Sequence, residues 1–466
     1  MGEGYNRRSN YNVRKIKLDE SRYQTALDYL YSFVDHSMTR ALRYSPEKFN
    51  LERMVHLASL CGKPQNMYPS VHIAGTKGKG STAAMIASCL IAAGYKVGLY
   101  TSPHLSEFTE RIQVNGVEVR KDELADLVDW LKPFASQVPE ITTFELATMI
   151  SFKYFEQQKV NIAVVEVGLG GRLDATNIID PLVSVITSLS LDHTNVLGDT
   201  IEKIAFEKGG IIKSNRPVVL APQKESARKV IEKICGERNA ELFQAGKDFY
   251  GVISEHSLSG QEILLRNSES LQFTDYKAEP LQVTLPLLGE HQLDNAVTAY
   301  GALQVISEKG FRISHRDYVN GFSTVQWPGR FEILKVRPTI IVDSAHNPDS
   351  TQKLRKTIDD YLPGKAIILI FGASEDKDVY GMFSALLPGV RLVIATQSTH
   401  PRALEAEKII SIAEEFNTQA IIVKEVTHAF EKALELAGSE DVIVATGSLF
   451  IAAAVRDYWN TSVENK

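Results

Sequence analysis

Three glycines, two lysines and three hydroxyl residues lie within the twelve residues Val71–Thr82, whose sequence is VHIAGTKGKGST. Glycines let a backbone approach an anion closely and turn its N–H groups toward it. The N-terminus of a following helix adds positive potential. Apolar residues precede the glycines, and a run of helix formers begins at Ala83. The stretch therefore predicts a strand, a phosphate-binding loop and a helix.

The loop departs from the regular P-loop pattern G-x-x-x-x-G-K-[ST]. Ile73 occupies the first glycine position, and Gly80 separates Lys79 from Ser81. In the regular motif the lysine contacts the terminal phosphates and the hydroxyl binds Mg²⁺. The alternative is an ordinary glycine-rich turn between a strand and a helix. We assign the nucleotide contacts of the loop to Gly75, Thr76, Gly78, Lys79, Gly80, Ser81 and Thr82.

Polar residues also follow three other predicted strands. Thr101–His104 follow strand 96–100, Glu166 interrupts the end of the apolar strand 161–167, and Asp192 and His193 follow strand 183–189. Open parallel sheets bind ligands at the carboxyl ends of their strands. An acidic residue there commonly holds Mg²⁺ opposite a phosphate loop. The alternatives are a salt-bridged carboxylate and a structural histidine.

Two similar segments occur near the C-terminus. Asp343–Pro348 follows another apolar strand, and Ser398–Ala403 contains Arg402, whose guanidinium suits a carboxylate. The alternatives are a turn closed by Asp and Asn side chains and a solvated loop.

The length of 466 residues predicts two domains. Residues 1–326 alternate strands and helices, as in a doubly wound α/β domain, and about 242–288 form a small antiparallel extension. A boundary at Pro328–Arg330 precedes a smaller α/β domain, 327–466. Its predicted strands are 339–342, 366–371, 392–396, 420–423 and 442–445. Helices are predicted at 23–33, 51–60, 121–131, 144–157, 200–208 and 289–308.

Composition narrows the class of protein. The net charge of -6 argues against a general nucleic-acid binder. Three dispersed cysteines favour a reducing compartment without a disulfide framework. The basic N-terminus has no apolar core, so it is not a secretory signal, and no apolar run is long enough to span a bilayer. We expect a cytoplasmic protein with no membrane partner, whose first ~18 residues are loosely ordered.

Taken together, these segments resemble folylpolyglutamate synthase, which in bacteria is commonly joined with dihydrofolate synthase activity, in the Mur-ligase superfamily. The resemblance runs from about Tyr23 to the C-terminal helix. The family usually has Asn where this chain has Lys77, and Ala where it has Gly210. Lys77 would add positive charge near the nucleotide or point to solvent. The matching segments are 75–81, 101–104, 166–177, 191–194, 207–213, 289–296, 328–330 and 343–348.

The resemblance implies a Mur-ligase-like fold, with an N-terminal P-loop ATPase domain and a Rossmann-like C-terminal domain. It implies an ATP-dependent ligase acting on a folate, with dihydropteroate as an expected second substrate. ATP phosphorylates the carboxylate, L-glutamate attacks the acyl phosphate, and ADP and phosphate leave. We expect a monomer.

The resemblance also implies roles for residues. Lys79, Lys208, His193 and Glu166 are catalytic, and Lys208, otherwise read as a helix-end lysine, is carbamoylated by CO₂. Two Mg²⁺ ions bind at Ser81, Glu166, His193 and Ser102. Asn295, Arg330 and Asp343 bind ATP, while Phe144 and Thr143 lie near the pterin. His346, Arg402 and Ser448 are assigned to glutamate.

Two other functions are alternatives to a folate ligase. A Mur-type ligase acting on a UDP-sugar peptide usually has an additional N-terminal domain, and only about 70 residues precede the loop here. A non-catalytic nucleotide-binding module would need the glycine loop, but not Glu166, His193, Lys208 and Arg330 together.

Overall fold

A computed structural model of the chain describes residues 20–33, 51–269, 271 and 280–463. The prediction for the first ~18 residues lies outside this part of the chain. Two helices precede the first sheet: α1 covers 20–31 and α2 covers Glu52–Leu60. Both agree with the predicted helices to within a few residues. Within the described residues, no helix has the length and apolarity needed to cross a bilayer.

The first sheet has eight strands in the order β4-β3-β2-β5-β1-β6-β7-β8. The six strands from β2 to β8 in that order are parallel, whereas β3 and β4 continue the edge in antiparallel fashion. Central β1 therefore lies between β5 and β6, where the strand order changes direction. The strands are β1 (Ser70–Ala74), β2 (Val97–Tyr100), β3 (Ile112–Val114), β4 (Val117–Glu118), β5 (Ile162–Glu166), β6 (Val183–Ile186), β7 (Val218–Leu220) and β8 (Leu242–Gln244).

Helices cover both faces of this sheet because its central strands are apolar on both sides. In β5, Val164 packs into the core on one face, while Ala163 and Val165 pack into the core on the other. The predicted doubly wound α/β arrangement is confirmed. The helices that follow α2 in this part of the chain are α3 (Lys79–Ala92), α4 (Lys121–Ala135), α5 (Thr143–Gln158), α6 (Thr194–Leu197), α7 (Ile201–Gly209), α8 (Glu225–Glu237), α9 (Glu290–Glu308) and α10 (His315–Ser323).

The predicted antiparallel extension is also confirmed. Three strands, β9 (Phe249–Ser257), β10 (Gly260–Asn267) and β11 (Leu281–Leu285), form a separate sheet in the order β11-β10-β9. The sheet packs against α9, and a Cβ on Gly251 would lie 2.6 Å from Val297. This glycine therefore lets β9 approach the helix closely.

A second, six-stranded sheet follows, in the order β12-β13-β17-β14-β15-β16. All neighbouring pairs are parallel except β12 with β13. Edge strand β12 was not predicted, because its exposed sequence lacks the apolar run of a buried strand. The division at 326/327 stays a prediction. The strands are β12 (Glu332–Val336), β13 (Thr339–Val342), β14 (Ile367–Phe371), β15 (Val390–Ala395), β16 (Ala420–Ile422) and β17 (Val442–Thr446). The helices are α11 (Pro348–Tyr361), α12 (Val379–Leu386), α13 (Ala406–Glu415), α14 (Val426–Leu436) and α15 (Leu449–Tyr458).

Helix α3 begins at Lys79, four residues before the predicted start at Ala83. Gly80 and the hydroxyl residues that follow it are therefore helical. Helix α10 packs tightly against α3, and a Cβ on Gly321 would lie 2.4 Å from the Cα of Cys89. The absence of a side chain at Gly321 thus sets how closely α10 supports the helix that follows the glycine loop.

Replacing Gly321 with alanine should lower the free energy of unfolding by about 1–3 kcal/mol, because the methyl group would push two helix backbones apart. Gly236 in α8 is the matched control, since a Cβ there meets no atom within 4 Å. Gly236→Ala should raise stability by roughly 0.5–1 kcal/mol through helix propensity. Urea denaturation of both variants measures the difference, and equal stabilities would contradict the packing argument.

Candidate functional site

The glycine loop joins β1 to α3 and has no room for side chains at two of its glycines. A Cβ on Gly75 would lie 1.7 Å from the Oγ1 of Thr187, and a Cβ on Gly78 would lie 2.1 Å from the Oδ1 of Asn295. Gly78 also has φ +81°, in the left-handed region that favours glycine. Asn295, predicted to bind nucleotide, therefore lies directly against the loop.

Trp327 packs against the first turn of α3, the helix that follows the glycine loop. A Cβ on Gly80 would lie 2.4 Å from the indole ring of Trp327. The ring is partly buried and packs against the same core as α3. The segment that leads from the first sheet to the second is thus attached to the first turn of α3.

Lys79, Glu166 and Ser102 come together at the carboxyl edge of the first sheet. The strand register pairs Glu166 of β5 with Ile73 of β1, two residues before the loop. The Nζ of Lys79 lies 3.8 Å from the Oε1 of Glu166. The backbone N–H of Ser102 donates to the Oε2 of Glu166 at 3.1 Å.

Burial raises the pKa of the Glu166 carboxyl, while the positive charge of Lys79 opposes the shift. A buried carboxylate is stable in ionised form only beside a cation or strong donors. The carboxylate of Glu166 is therefore a strong site for a further positive charge. Ser102 contacts it through the backbone, so the predicted metal role of the Ser102 side chain stays a prediction.

Ser81 and Thr82 lie in the first turn of α3, and both side chains are buried. The Oγ1 of Thr82 has no hydrogen-bond partner among the described residues. An unsatisfied buried hydroxyl lowers stability by about 1–3 kcal/mol. Such a group beside a glycine loop fits a site that is completed by a ligand.

Lys208 is the most unusual cation of the site. It lies near the end of α7, and only 4% of its surface is exposed. A Cβ on Gly171 would lie 3.0 Å from its Cα, so the glycine loop after β5 packs directly on this turn. Burial, together with the nearby charge of Lys79, lowers the pKa of Lys208 to about 7. A neutral amine is therefore accessible near neutral pH, which the sequence pattern alone did not indicate.

His193 has φ +51° and a half-exposed ring. Partial burial lowers its pKa, Asp192 opposes this shift, and the charges of Lys377, Lys208 and Lys79 add to it. The ring is therefore within electrostatic range of Lys79 and Lys208. Lys377 was missed by the sequence analysis, although it lies in the loop after β14, at the carboxyl edge of the second sheet.

Arg330 and Asp343 lie at the start of the second sheet, and Arg330 is within electrostatic range of Glu166 in the first sheet. Asp343 accepts hydrogen bonds from the backbone N–H groups of Phe331 and Ala345, each at 2.8 Å. The guanidinium of Arg330 donates to the hydroxyl of Ser344. Burial lowers the pKa of Arg330, and the negative charges of Asp343 and Glu166 oppose the shift. The positive charge of Arg330 therefore acts on the carboxylate of Glu166.

Phe144 and Thr143, assigned to the pterin, begin α5. A Cβ on Gly168 would lie 2.4 Å from the ring of Phe144, so this ring lies next to the loop after β5. The Thr143 hydroxyl instead donates to the backbone oxygen of Leu30 at 2.8 Å. This hydroxyl fixes the end of α1, and Phe144 is the better positioned of the two for a ligand.

The three residues assigned to glutamate have different surroundings. The Nε of Arg402 is buried and has no hydrogen-bond partner within the described part of the chain. The Nδ1 of His346 lies 2.9 Å from the backbone oxygen of Ser344, and burial lowers the pKa of His346 to about 4. Ser448 caps α15 by accepting from the N–H of Ile451 at 3.3 Å. Arg402 is thus the one with unused hydrogen-bonding capacity.

A buried network behind the site was also missed. The Oγ1 of Thr176 donates to the Oδ1 of Asp174, and the Nε2 of His72 lies 2.8 Å from the same Oγ1. Because a hydroxyl has one proton, His72 must donate through Nε2. Asp174 in turn accepts from the N–H of Leu169 at 2.9 Å. The network therefore holds the loop that contacts Phe144, and its sequence signals are a histidine inside an apolar strand and the matching segment 166–177, which contains Asp174 and Thr176.

Comparisons with known proteins agree with this geometry. The chain matches the Mur ligase middle domain over residues 73–303 and the Mur ligase glutamate ligase domain over residues 329–449. It is 34% identical over 416 residues to a dihydrofolate synthase/folylpolyglutamate synthase of Bacillus subtilis, covering 88% of this chain and 94% of that protein. It is 32% identical over 386 residues to the protein of the same name from Escherichia coli, covering 83% and 85%.

Solved structures are similar over almost the whole chain. Mycobacterium tuberculosis folylpolyglutamate synthase complexed with ADP has a TM-score of 0.84 and 29% identity, covering 95% of this chain and 99% of that one. E. coli FolC in complex with DHPP and ADP has a TM-score of 0.81 and 29% identity, covering 94% and 97%. The two-sheet arrangement that forms the candidate site is therefore shared with nucleotide-bound relatives.

Removing the hydroxyl in Thr176→Val should lower the free energy of unfolding by about 1–3 kcal/mol, because Asp174 and His72 would lose their shared buried partner. Thr176→Ser keeps the hydroxyl and should lose less. Urea denaturation gives both values, and a larger loss in Thr176→Ser than in Thr176→Val would show that the γ-methyl group, which valine keeps, matters more than the network.

Proposed function

This chain belongs to the dihydrofolate synthase/folylpolyglutamate synthase family, and we propose that its glycine loop, Glu166 and Arg330 form the site of the family's reaction. The chain is an ATP-dependent ligase that joins glutamate to a folate carboxylate. The observation that carries the site assignment is the pairing of Lys79 with buried Glu166 beside the loop. The UDP-sugar ligase and the non-catalytic module are not favoured, because the matching relatives carry synthase names.

The chemistry explains why cations gather here. A carboxylate is a poor electrophile, and transfer of the γ-phosphoryl group converts it to an acyl phosphate with a good leaving group. Attack by the glutamate amine then forms the amide and releases phosphate, while ADP remains from the first step. Charge on the phosphoryl oxygens dominates the transition state, so fixed cations and N–H donors supply most of the stabilisation. In this proposal Lys79, Arg330 and the loop amides fill that role.

Magnesium fits the donor set. The described residues include no group of three or more His, Cys, Asp or Glu side chains that could hold a metal. Mg²⁺, however, commonly uses one or two protein carboxylates together with phosphate oxygens and water. The buried Glu166 carboxylate and the hydroxyls of the first turn of α3 suit such a site, with Ser81, Ser102 and His193 as further proposed ligands. When bound, Mg²⁺ neutralises charge on the nucleotide phosphates.

Carbamoylation of Lys208 is a second proposal. The neutral amine adds to CO₂, forming an N–C bond and releasing one proton, and the side chain changes from cation to anion. Two observations support it: Lys208 is buried, and the pKa of its amine is lowered to about 7. The neighbouring charge of Lys79, which disfavours an ammonium, favours a carbamate.

We also propose residues that bind the folate and L-glutamate. Phe144 offers an aromatic face for the pterin, and dihydropteroate is proposed as a substrate beside reduced folates. Arg402, whose Nε has no hydrogen-bond partner among the described residues, is proposed to bind a carboxylate of L-glutamate, and His346 and Ser448 are proposed as further glutamate contacts. A monomer is proposed because one chain supplies both Glu166 and Arg330. The free cysteines favour the cytoplasm.

Replacing Lys79 with alanine should reduce kcat/KM for ATP by roughly 10²–10³-fold, the usual effect of removing a group that stabilises transition-state charge. Lys203→Ala is the control, since Lys203 forms an exposed pair with Asp199 at 2.8 Å. ADP release is measured with and without folate and glutamate. Wild-type turnover in Lys79→Ala would refute the phosphate role, and ADP release independent of either co-substrate would refute the ligase assignment.

Lys208→Ala should lose most activity, and a short carboxylic acid in the buffer should restore part of it by supplying the missing anion. Lys208→Arg should not recover, because it keeps the positive charge and cannot be carbamoylated. Labelled bicarbonate should give a carbamate carbon signal by NMR in the wild type only. Near-normal turnover of Lys208→Arg, or no such signal in the wild type, would show that the charge of a helix-end lysine alone matters.

A further inference from the structure

Lys77 does not point to solvent. Its Nζ lies 2.7 Å from the Oδ2 of Asp192, and the two side chains are only 16% and 13% exposed. The same Oδ2 accepts a hydrogen bond from the Nδ2 of Asn347 at 3.2 Å. Asn347 directly precedes α11, so one carboxylate oxygen joins the glycine loop to the part of the chain that carries the second sheet.

The glycine loop and Asp192 are parts of one stiff unit. The N–H groups of Thr76 and Lys77 both donate to the backbone oxygen of Ser188, at 2.9 and 3.2 Å. The Thr76 hydroxyl also donates to the backbone oxygen of Ser190 at 3.1 Å. The segment after β6 is therefore tied to the loop along its length, and Asp192 extends from the end of that segment.

Asn347 is equally constrained on its side. Its Oδ1 accepts from the N–H of Ser350 at 3.0 Å and caps α11. Since the oxygen is used by the cap, the amide NH₂ must face Asp192. His346 is the adjacent residue, and Lys77 contributes to the lowering of the pKa of His346. A shift of Lys77 would therefore affect the start of α11 and the neighbouring His346, which is assigned to glutamate.

The strength of this link follows from its environment. Exposed ion pairs contribute little because water and salt screen them, whereas partly buried pairs are screened much less. An amide at position 77 could not form the ion pair, so the link depends on the cation of Lys77.

We propose that Lys77 is a positioning residue: through Asp192 and Asn347 it holds α11 and His346 against the glycine loop in the arrangement needed for glutamate attack, before nucleotide binds. This inference rests on the proposed function for its kinetic consequence, but its structural consequence is independent. Lys77 touches neither reacting group in this proposal. Its effect appears in the binding of glutamate and in the mean separation of the two sheets.

Two substitutions break the link at opposite ends. Lys77→Asn removes the cation and leaves a shorter polar side chain. Asn347→Asp keeps an N-cap of similar quality but replaces the donor with a carboxylate that repels Asp192. Lys77→Arg is the conservative variant that keeps the cation.

Each of the first two variants should raise the KM for glutamate roughly three- to tenfold with kcat within about twofold, and the double variant should be no worse than the poorer single one, as for residues in one network. Lys77→Arg should stay close to the wild type. Small-angle scattering without nucleotide should give a larger radius of gyration for the two breaking variants.

The positioning role is wrong if the effects of the two single variants on the KM for glutamate multiply in the double variant. It is also wrong if both breaking variants keep the wild-type radius of gyration and KM. A wild-type protein without glutamate-dependent ADP release would refute the proposed function instead. The scattering comparison would then still decide whether Lys77 holds the two parts together.

Discussion

The site depends on a carboxylate that is held out of water. Glu166 ends the central strand β5, where the register places it beside the glycine loop. Its burial is tolerated because Lys79, the Ser102 amide and the charge of Arg330 surround it. Each of these partners comes from a different part of the chain: the loop after β1, the loop after β2, and the segment that enters the second sheet. One buried charge therefore requires that all three segments meet.

Several lysines also lie close together at this site. The protein has a net charge of -6, yet the charge of Lys79 helps to lower the pKa of Lys77, and the charges of Lys79 and Lys77 help to lower the pKa of Lys208. In the absence of an anion these charges repel one another, and burial increases the repulsion. Asp192 relieves part of it by pairing with Lys77. A bound polyphosphate would relieve more, so nucleotide binding and stability of the site are coupled.

The features that could be predicted from the sequence were those encoded locally. Apolar runs identified the central strands, and glycine spacing identified the loop, because backbone approach depends on missing side chains at Gly75 and Gly78. Glu166 was found because it interrupts an apolar run. The use of the Thr143 hydroxyl by Leu30 and the partner of Lys77 were not predictable, because each depends on residues distant in sequence. Edge strand β12 was not predictable because its exposed sequence lacks the apolar run of a buried strand. The role of His72 was also not predictable, because it depends on its contacts with Thr176 and Asp174.

The contact between Trp327 and Gly80 has an optical consequence. The chain contains three tryptophans; Trp130 packs against Phe134 in α4, and Trp459 packs edge-on against Phe430 of α14. Trp327 lies against the first turn of α3, which begins at Lys79. Indole fluorescence responds to the polarity and motion of its surroundings. The protein therefore carries a native fluorophore at the junction of its two halves, one that reports on the loop without any label.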